Sequence, residues 1–529
     1  MIVLRRSLFP VAMLVVAVAA FLGILAAEAF AADAGVTERP RTDTLRVTNG
    51  EVLDSIVIGN RVIVVGTFTQ VQNAGGSTFD QPYIAAYNAD SGQFDAGWRP
   101  EVDNFVNAIA TDGSNVYIVG QFDTVDGQAH RRIAKINSSG SADSRFTTSV
   151  GTTPLTVAAA HGKVYFGGSF TSVNNQPRER FAAVDSTTGQ LDPETDFTFA
   201  DSVSNGTLAV RWIDVSPNGD FLFLSHTARL IDGEIRTGLA KFDISANSTS
   251  LSSWRTLHFE NELDRLPSGQ RARRLAISPD NSYVVMVTSG NDRPPTNDVA
   301  VRLPTSGGSN VQADWVSRHF DTVLGVVISD DAVFVGGHFQ FQEAPGSTDP
   351  FPGDRDTLFG FGANQGPQIL GSEVVRREQI GALDPNTGKS LDWNPGSDSF
   401  IGVQSLTWND RYGLLVGHDA SRLGGVQIGR HAIFNPGSTP GPPPPLPGTG
   451  PFSCEATISG GQASVEFTGD LGISLQVIRN GSWAGTVDGD SITISANSGD
   501  TIAGRLRGCL LYTSPSPRDQ RGSRMPSSA

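Results

Sequence analysis

Three histidines follow apolar strands at similar places in this chain, and their side chains could carry chemistry: His226, His338 and His418. Each comes directly after a glycine, or after the residue that takes the place of that glycine, in the fourth, sixth and seventh copies of a repeat. Equivalent positions of a repeat lie on one face of the assembled sheets, so imidazoles there could transfer protons or bind a ligand. They could not share one metal ion, because equivalent atoms in adjacent sheets are on the order of 10 Å apart, whereas a Zn–N bond is about 2 Å long. The alternative is a hydrogen-bonded role at the rim of the fold.

Charged residues form a second group of candidates for ligand binding. Arg132, Arg180 and Arg430 stand beside repeated strands, where guanidinium groups could recognise acidic sugars or other carboxylates. The alternative for these arginines is an ion pair with a neighbouring aspartate between repeats. The sixth repeat also carries roughly 30 extra residues, and loops of that length are often functional, although the loop could equally be a tolerated insertion. Its charged candidates are Asp354, Asp356, Arg376 and Arg377.

Motifs that would indicate an enzyme are missing from the sequence. It contains no Gly-x-Ser-x-Gly elbow, no His-Glu-x-x-His and no Cys-x-x-Cys. The repeats contain no cysteine, which excludes a copper centre of the tyrosine–cysteine type. We therefore expect no metal and no cofactor; Ca²⁺ stays open, although no motif indicates it.

The candidate residues are positioned by a unit that occurs seven times between Val52 and Pro436. Its most regular strand has a central small residue at 85, 134, 182, 240, 300, 381 and 432, a period of roughly 50 to 60 with one long exception. Alternating apolar strands separated by Asp-Gly or Gly-Asn turns are typical of β-hairpins. Short strands at such a period are typical of propeller blades, which bury their faces only by stacking on one another. An aromatic residue near a proline, such as Trp98 or Trp393, marks a fourth strand. The sequence therefore predicts an all-β, seven-bladed propeller over 39–436.

The last repeat has no fourth strand of its own, because it ends at a proline-rich stretch. An unassigned segment, Arg39 to Val47, precedes the first repeat, and its Arg-Pro pair resembles Arg99-Pro100 of the first repeat. We expect this N-terminal strand to complete the seventh blade, which would remove two exposed sheet edges. The alternative is an unstructured tail.

The two ends of the chain predict its setting and further modules. Residues 1–31 have the basic start, apolar run and small-x-small site of a signal peptide, so we expect a secreted or cell-surface protein with no membrane insertion. The net charge of −15 speaks against nucleic acid as a partner, and we expect a monomer. Residues 437–451 form a Pro/Gly-rich linker, and 452–508 alternate like part of an immunoglobulin- or fibronectin-like β-sandwich.

The tail 509–529 changes composition abruptly and follows no strand or helix pattern. It resembles a translated sequencing adapter. Cys454 and Cys509 would be an even pair for a disulfide, but this pair disappears if Cys509 belongs to the adapter. The native partner of Cys454 then stays open.

The segments RIAKINSSGSADSRF and VYFGGSFTSVNNQPRERFAAVD resemble the delta-sixty repeat propellers of secreted bacterial proteins, within the kelch- and quinoprotein-like propellers. The resemblance implies a propeller in an extracellular setting and carries no catalytic residues. It favours a non-catalytic protein that recognises a glycan or protein through the propeller face. The alternative is a secreted carbohydrate-active enzyme, a lyase or hydrolase, with an active site on that face.

Overall fold

A computed structural model describes residues 34–202, 206–260, 271–290, 296–345, 347, 374–399 and 401–437, and the backbone of strands between 453 and 513. The predicted signal peptide, the predicted linker, Asp354 and Asp356 lie outside the described residues. The described elements are all β-strands. Among the described residues, no helix is long and apolar enough to cross a membrane.

The strands of the first three repeats, in chain order, are β1 (Arg46–Val47), β2 (Val52–Ile58), β3 (Arg61–Gly66), β4 (Gln70–Gln72), β5 (Thr78–Asp80), β6 (Ile84–Asn88), β7 (Val106–Thr111), β8 (Val116–Gly120), β9 (Thr124–Val125), β10 (Gln128–Ala129), β11 (Ile133–Ile136), β12 (Pro154–Ala160), β13 (Lys163–Gly168), β14 (Ser172–Val173), β15 (Gln176–Pro177) and β16 (Phe181–Asp185). The next two repeats contain β17 (Phe199–Ser202), β18 (Val210–Val215), β19 (Phe221–His226), β20 (Ala228–Ile231), β21 (Glu234–Ile235), β22 (Leu239–Ile244), β23 (Thr249–Leu251), β24 (Arg271–Ile277), β25 (Tyr283–Ser289), β26 (Val299–Pro304) and β27 (Trp315–Arg318). The last two contain β28 (Val323–Ile328), β29 (Val333–Gly337), β30 (Phe341–Glu343), β31 (Val374–Arg376), β32 (Ile380–Leu383), β33 (Ser405–Asn409), β34 (Gly413–Gly417), β35 (Arg422–Leu423), β36 (Val426–Gln427) and β37 (His431–Phe434).

The main sheets repeat one antiparallel arrangement, and we number the units 1 to 7 by their first strands, β2, β7, β12, β18, β24, β28 and β33. In each unit the second strand lies between the first and the third. The predicted small residue of the third strand lies opposite an apolar residue of the second, as Ala134 does opposite Ile118 and Ala240 opposite Leu224. The repeat seen in the sequence therefore corresponds to one sheet per copy.

The fourth strand is regular only in units 4 and 5, where it forms β23 and β27. In other units it shrinks to one isolated bridge, such as Tyr87↔Phe94 or Ile136↔Ala142. The chain turns away soon after that bridge, because in unit 1 the Trp98 N–H donates back to the Asp95 carbonyl at 3.1 Å. The sequence predicted a fourth strand in each blade, and tight turns limit its length.

The N-terminal segment occupies the fourth-strand position of unit 7. Val36 forms an antiparallel bridge with Pro436, and the Arg41 N–H donates to the Ile433 carbonyl at 2.8 Å. The corresponding bond in unit 1 runs from the Asp95 N–H to the Ala86 carbonyl, also at 2.8 Å. The pairing begins at Val36, nearer the N-terminus than the predicted strand 39–47, and includes Arg41 within it, whereas the end of the predicted strand forms β1 and pairs with β4.

Small hairpins project between the second and third strands of most units. Their turns are short, Asp126-Gly127 in unit 2 and Asp232-Gly233 in unit 4, and each Asp there has a positive φ. The predicted insertion of unit 6 lies in this same turn, because β30 pairs directly with β31 on either side of it. The extra residues therefore lengthen one hairpin and leave the sheet of unit 6 unchanged.

A buried arginine joins two units that are distant in sequence. The Arg274 guanidinium in unit 5 donates to the Leu53 carbonyl in unit 1 at 2.5 Å and lies 3.7 Å from the Asp54 carboxylate. It also packs over the Trp212 ring of unit 4 at 3.9 Å. Burial lowers the pKa of Arg274 and raises the pKa of Asp54, and the attraction between the two charges opposes both shifts.

The C-terminal strands are β38 (Ser453–Ser459), β39 (Gln462–Thr468), β40 (Leu475–Arg479), β41 (Ser482–Val487), β42 (Ser491–Ser495), β43 (Ile502–Leu506) and β44 (Cys509–Thr513). They form two antiparallel sheets, in the orders β38-β39-β42 and β41-β40-β43-β44. The sequence predicted no strand after residue 508, but β44 pairs with β43 there. An edge strand needs only backbone groups to pair, so local composition is a weak guide to it. The side chains of Cys454 and Cys509 lie outside the description.

Candidate functional site

The backbone register shows which histidines are equivalent. The last residue of the second strand donates its N–H to the carbonyl of the residue ahead of the third strand: Gly120 to Arg132 at 3.2 Å, His226 to Gly238 at 3.0 Å. His418 makes the same bond to Arg430 at 3.1 Å, but in unit 6 the donor is Gly337, to Gln379 at 2.9 Å. His226 and His418 therefore replace the repeat glycine, whereas His338 lies one residue further. Side chains alternate along a strand, so this offset of one residue separates their environments.

His226 and His418 are buried inside their units. They are 1% and 0% exposed, and each Nδ1 accepts a backbone N–H two residues on, from Ala228 at 3.2 Å and from Ala420 at 2.8 Å. Burial lowers the pKa of His226 to about 3 and that of His418 to about 4. Both imidazoles are consequently neutral at physiological pH and act as caps for turning backbone.

His338 has a different environment, on the surface. Its side chain is 42% exposed, and its Nδ1 lies 3.0 Å from the Asp321 carboxylate. Asp321 also accepts the Thr322 N–H at 2.6 Å, which holds the carboxylate in place. A carboxylate that fixes an exposed imidazole can orient it for ligand binding or proton transfer.

The three repeat arginines bind backbone carbonyls. Arg132 donates to the Val150 and Gly151 carbonyls at 2.8 and 2.7 Å, Arg180 to the Phe170 carbonyl at 2.9 Å, and Arg430 to the Thr48 carbonyl at 3.0 Å. The sequence left ion pairs with aspartates between units as the alternative for these arginines. The hydrogen bonds join them to backbone carbonyls instead. They fix the entry and exit of strands.

The described arginines of the unit 6 hairpin are also engaged. Arg376 pairs with the Glu378 carboxylate at 2.6 Å. Arg377 is 6% exposed and donates to the Leu391 carbonyl at 2.9 Å. Asp354 and Asp356 lie outside the described residues, so their relation to these arginines stays a prediction.

A further set of polar side chains lies in units 7 and 1, and unit 7 adjoins His338 through the Val403 N–H, which donates to the Gly337 carbonyl at 3.2 Å. The Ser399 hydroxyl and the Ile401 N–H both donate to the Asp419 carboxylate, and the Gln404 amide donates to Glu51 at 3.1 Å. Burial, and next the charge of Asp419, raises the pKa of Glu51. We call Asp321, His338, Ser399, Asp419, Gln404 and Glu51 the 6–7–1 face.

The 6–7–1 face presents carboxylates, an imidazole, a hydroxyl and an amide, a set of groups suited to hydrogen bonding with hydroxyl-rich or peptide ligands. Over the part of the chain that is described, no group of three or more His, Cys, Asp or Glu residues is placed to hold a metal ion. Sequence reasoning identified His338 in this face but missed its partner. Asp321 precedes the first strand of unit 6 and belongs to no motif, so only a comparison of loop positions between units could have found it.

The comparisons with known proteins concern the fold. A family model described as a domain of unknown function (DUF5122) beta-propeller matches residues 115–146, which lie in unit 2. No curated protein matches the chain.

Solved structures with similar folds include the computationally designed Ika8 protein, with 13% identity, coverage of 75% of this chain and 100% of that chain, and a TM-score of 0.41. The WD40 beta propeller domain of Doa1 has 10% identity, coverage of 75% and 96%, and a TM-score of 0.40. The beta-propeller domain of Cps50 (Swd1) from Myceliophteria thermophila has 8% identity, coverage of 77% and 99%, and a TM-score of 0.38. The match to the DUF5122 model supports a β-propeller fold.

Proposed function

We propose that the protein is a non-catalytic, secreted or cell-surface binding protein whose seven units form one closed propeller and whose 6–7–1 face recognises a glycan or protein. Contacts between the last and first units support closure. The Ser55 and Thr407 hydroxyls lie 3.0 Å apart, and the Tyr87 hydroxyl lies 2.7 Å from His431 Nε2. The N-terminal segment adds its hydrogen bonds to β37, so both chain ends of the ring meet in unit 7.

Closure is tested at Arg41, whose N–H donates to β37. The substitution Arg41→Pro removes that donor, and we expect a loss of about 1–2 kcal/mol in the free energy of unfolding, measured by urea titration. Arg41→Ala is the control, because it keeps the N–H and removes the side-chain bonds to Asp43 and the Ala89 carbonyl. Equal losses in the two variants would contradict a role for this backbone pairing.

The 6–7–1 face is the observation that carries the binding function. It is the place where His338, a predicted candidate, is exposed and held by a partner, while His226 and His418 are enclosed in their units. Polar groups from three units adjoin it, and loops positioned by a rigid scaffold commonly carry recognition.

A glycan array and a pull-down from an extracellular matrix extract, with the protein from residue 34 onward as bait, test this function. We expect a ligand whose binding falls at least tenfold in His338→Ala and in Gln404→Ala, since each substitution removes about one hydrogen bond to a bound ligand. Arg411→Gln is the control, because Arg411 is an exposed residue of unit 7 outside the face. Binding that is unaffected by both face substitutions would place recognition elsewhere.

A secreted carbohydrate-active enzyme is the second candidate, and the His338–Asp321 pair is the observation that favours it. An imidazole oriented by a carboxylate can serve as a general base. Turnover of a glycan that the array identifies, lost in both His338→Ala and Asp321→Asn, would establish this alternative. Tight binding without turnover would reject it.

A further inference from the structure

Unit 2 contains a groove beside its hairpin. The groove has a volume of about 280 Å³, and its walls are β10 with His130 and Arg131 on one side and residues 144–149 on the other. That volume is close to the lower end of small-molecule pockets. It suits one sugar ring or a small organic acid.

The groove lies beside a repeat position whose residue differs between units, being arginine in three of them and Gln81, Thr296 and Ile428 in units 1, 5 and 7. Two residues before the third strand's entry, units 3, 4 and 6 have Arg178, Arg236 and Arg377, and unit 2 has His130. Arg236 and Arg377 reach across to the Ser252 and Leu391 carbonyls at 2.8 and 2.9 Å.

His130 does not make that crossing. Its side chain is buried, with the residue 4% exposed, and its Nδ1 has no hydrogen-bond partner among the described residues. A buried polar atom without a partner costs free energy unless a ligand or water satisfies it. The imidazole is thus a buried hydrogen-bonding group that lines the groove.

Arg131 adds a positive charge at the rim. It is exposed, and within the described part of the chain its guanidinium has no carboxylate or carbonyl partner, whereas the adjacent Arg132 donates to two carbonyls. The two acidic side chains whose charges act on the neighbouring His130 are already engaged. Asp143 binds Arg145 at 2.8 Å and Lys135 at 3.6 Å, and Asp126 accepts the Glu101 and Ala142 N–H groups, both at 2.8 Å.

The opposite wall is rigid and carries hydroxyl groups. Thr148 donates to the Gly189 carbonyl at 3.0 Å, and the Ser149 N–H donates to the Asn174 side chain at 2.8 Å, so the wall is tied to unit 3. Ser144 and Ser149 line the groove together with Phe146. A preformed wall reduces the entropic cost of binding.

We propose that this groove binds the carboxylate of a small acidic ligand such as a uronic acid, with Arg131 as the anion partner and His130 and the serine hydroxyls as hydrogen-bonding groups. Guanidinium–carboxylate pairs are charge-assisted and directional, which distinguishes an acid from a neutral sugar. The inference rests on the proposed function, since it names a ligand class and a second contact region for a binding protein.

The test is isothermal titration of the protein with sodium glucuronate, glucose and acetate. We expect glucuronate to bind and glucose to bind at least tenfold more weakly, because glucose cannot form the ion pair. Acetate that binds as well as glucuronate would show that any small carboxylate is accepted; weaker acetate binding would show that the sugar ring contributes. Failure of both acids to bind overturns the proposal.

Two variants and a control locate the site. Arg131→Gln removes the charge and should weaken glucuronate binding on the order of ten- to a hundredfold. His130→Arg places in unit 2 the residue type of units 3, 4 and 6, so it should fill the groove and abolish binding without loss of folding, as checked by thermal unfolding. Arg411→Gln should bind like the wild type. Unchanged binding in both groove variants overturns the assignment.

The glucuronate titration and the array together separate this proposal from the proposed function. If a ligand found on the array is lost in His338→Ala while glucuronate does not bind to the wild type, the protein is a binding protein and the groove assignment is wrong. If glucuronate binds through the groove while the array and the pull-down give nothing, the groove assignment holds and recognition through the 6–7–1 face is wrong.

Discussion

Units 3 and 4 fill the space at the end of the second strand with different residues. Unit 3 ends its second strand with Gly168-Ser169-Phe170, and unit 4 ends it with His226-Thr227-Ala228. A Cβ on Gly168 would lie 3.1 Å from the Pro154 Cα, 3.2 Å from the Thr153 carbonyl oxygen and 3.4 Å from the Phe170 ring, so the neighbouring backbone and the phenyl group both crowd the glycine. In unit 4 the alanine leaves that space open, and the buried imidazole fills it and contacts the Phe199 ring at 5.8 Å between centroids.

The same difference, a glycine followed by a phenylalanine or a histidine followed by an alanine, is seen among units 1, 2, 6 and 7. Phe68, Phe122 and Phe339 accompany glycines in units 1, 2 and 6, whereas Ala420 accompanies His418 in unit 7. The four phenylalanines of this type, Phe170 included, are 0% exposed, as is His418. In these six units one ring is thus kept while its position in the sequence moves by two residues, whereas unit 5 has Ser289-Gly290-Asn291 in the corresponding stretch. His226 and His418 thus supply a buried ring in the units that lack the phenylalanine, and burial is the main cause of their lowered pKa values.

The largest effect should come from removing the ring of a Gly-x-Phe unit. Phe170→Ala deletes a fully buried phenyl group and should lower the free energy of unfolding by about 3–5 kcal/mol. Ser169→Ala, at the neighbouring position, is the control and should change it by less than about 0.5 kcal/mol. Chemical denaturation measures both. A small loss of unfolding free energy in Phe170→Ala would contradict the requirement for a buried ring at this position.

Acid should affect the two kinds of unit differently. The pKa of His226 is lowered to about 3 and that of His418 to about 4, below their ordinary value of 6.5. Their contribution to stability is therefore complete above pH 6.5 and is lost as the pH falls toward the folded-state pKa, by about 2–3 kcal/mol for each histidine between pH 7 and pH 4.5.

The variant His226→Asn/His418→Asn should lose correspondingly less stability over that range, because asparagine can accept the same N–H and does not titrate. Urea unfolding at both pH values measures the difference. His161→Asn is the control, since it removes an exposed histidine that lies outside this position of the repeat. Equal acid sensitivity in the wild type and the double variant would contradict the assignment.

The histidine and alanine of unit 4 can be introduced at the equivalent positions of unit 3. Adding Gly168→His to Phe170→Ala gives unit 3 the sequence pattern of unit 4, and we expect it to restore about 1–2 kcal/mol relative to Phe170→Ala alone. Gly168→His by itself should destabilise, because the imidazole and the phenyl group then compete for one space. A double-mutant cycle measures the coupling, and additive effects would show that the two rings do not occupy equivalent places.

The smallest effect concerns the hydrogen bond that the His226 and His418 side chains accept from the backbone in units 4 and 7. His418 Nδ1 accepts the Ala420 N–H at 2.8 Å. His418→Leu keeps an apolar side chain but leaves that buried donor unpaired, so it should be about 1 kcal/mol less stable than His418→Asn. Amide hydrogen exchange at Ala420, faster in the leucine variant alone, would locate the loss.

Much of the fold could be predicted from the repeat. The third-strand residues from Ala85 to Ala432 gave the period, and each lies in its own sheet. The missing fourth strand of unit 7 pointed to the N-terminus, and the segment around Val36 and Arg41 does pair there. The length of the fourth strands could not be predicted, because turn hydrogen bonds end them.

The candidate site was less predictable, because a one-residue offset decides whether a side chain is buried. His338 and His418 both follow a glycine, yet only the hydrogen bonds of Gly337 and His418 show that they differ in register. Arg131 and Arg132 are likewise adjacent and identical in type. The backbone carbonyls of Val150 and Gly151 occupy Arg132, and no sequence pattern indicates that.

The sequence by itself determined the repeat, the strand pattern and the list of residues able to carry chemistry, since these depend on local alternation and turn preferences. The tertiary structure alone decided which histidine is exposed, which carboxylate holds it and which arginine keeps a free guanidinium. Those outcomes depend on contacts between units that are far apart in the chain, and such contacts are fixed by packing and register.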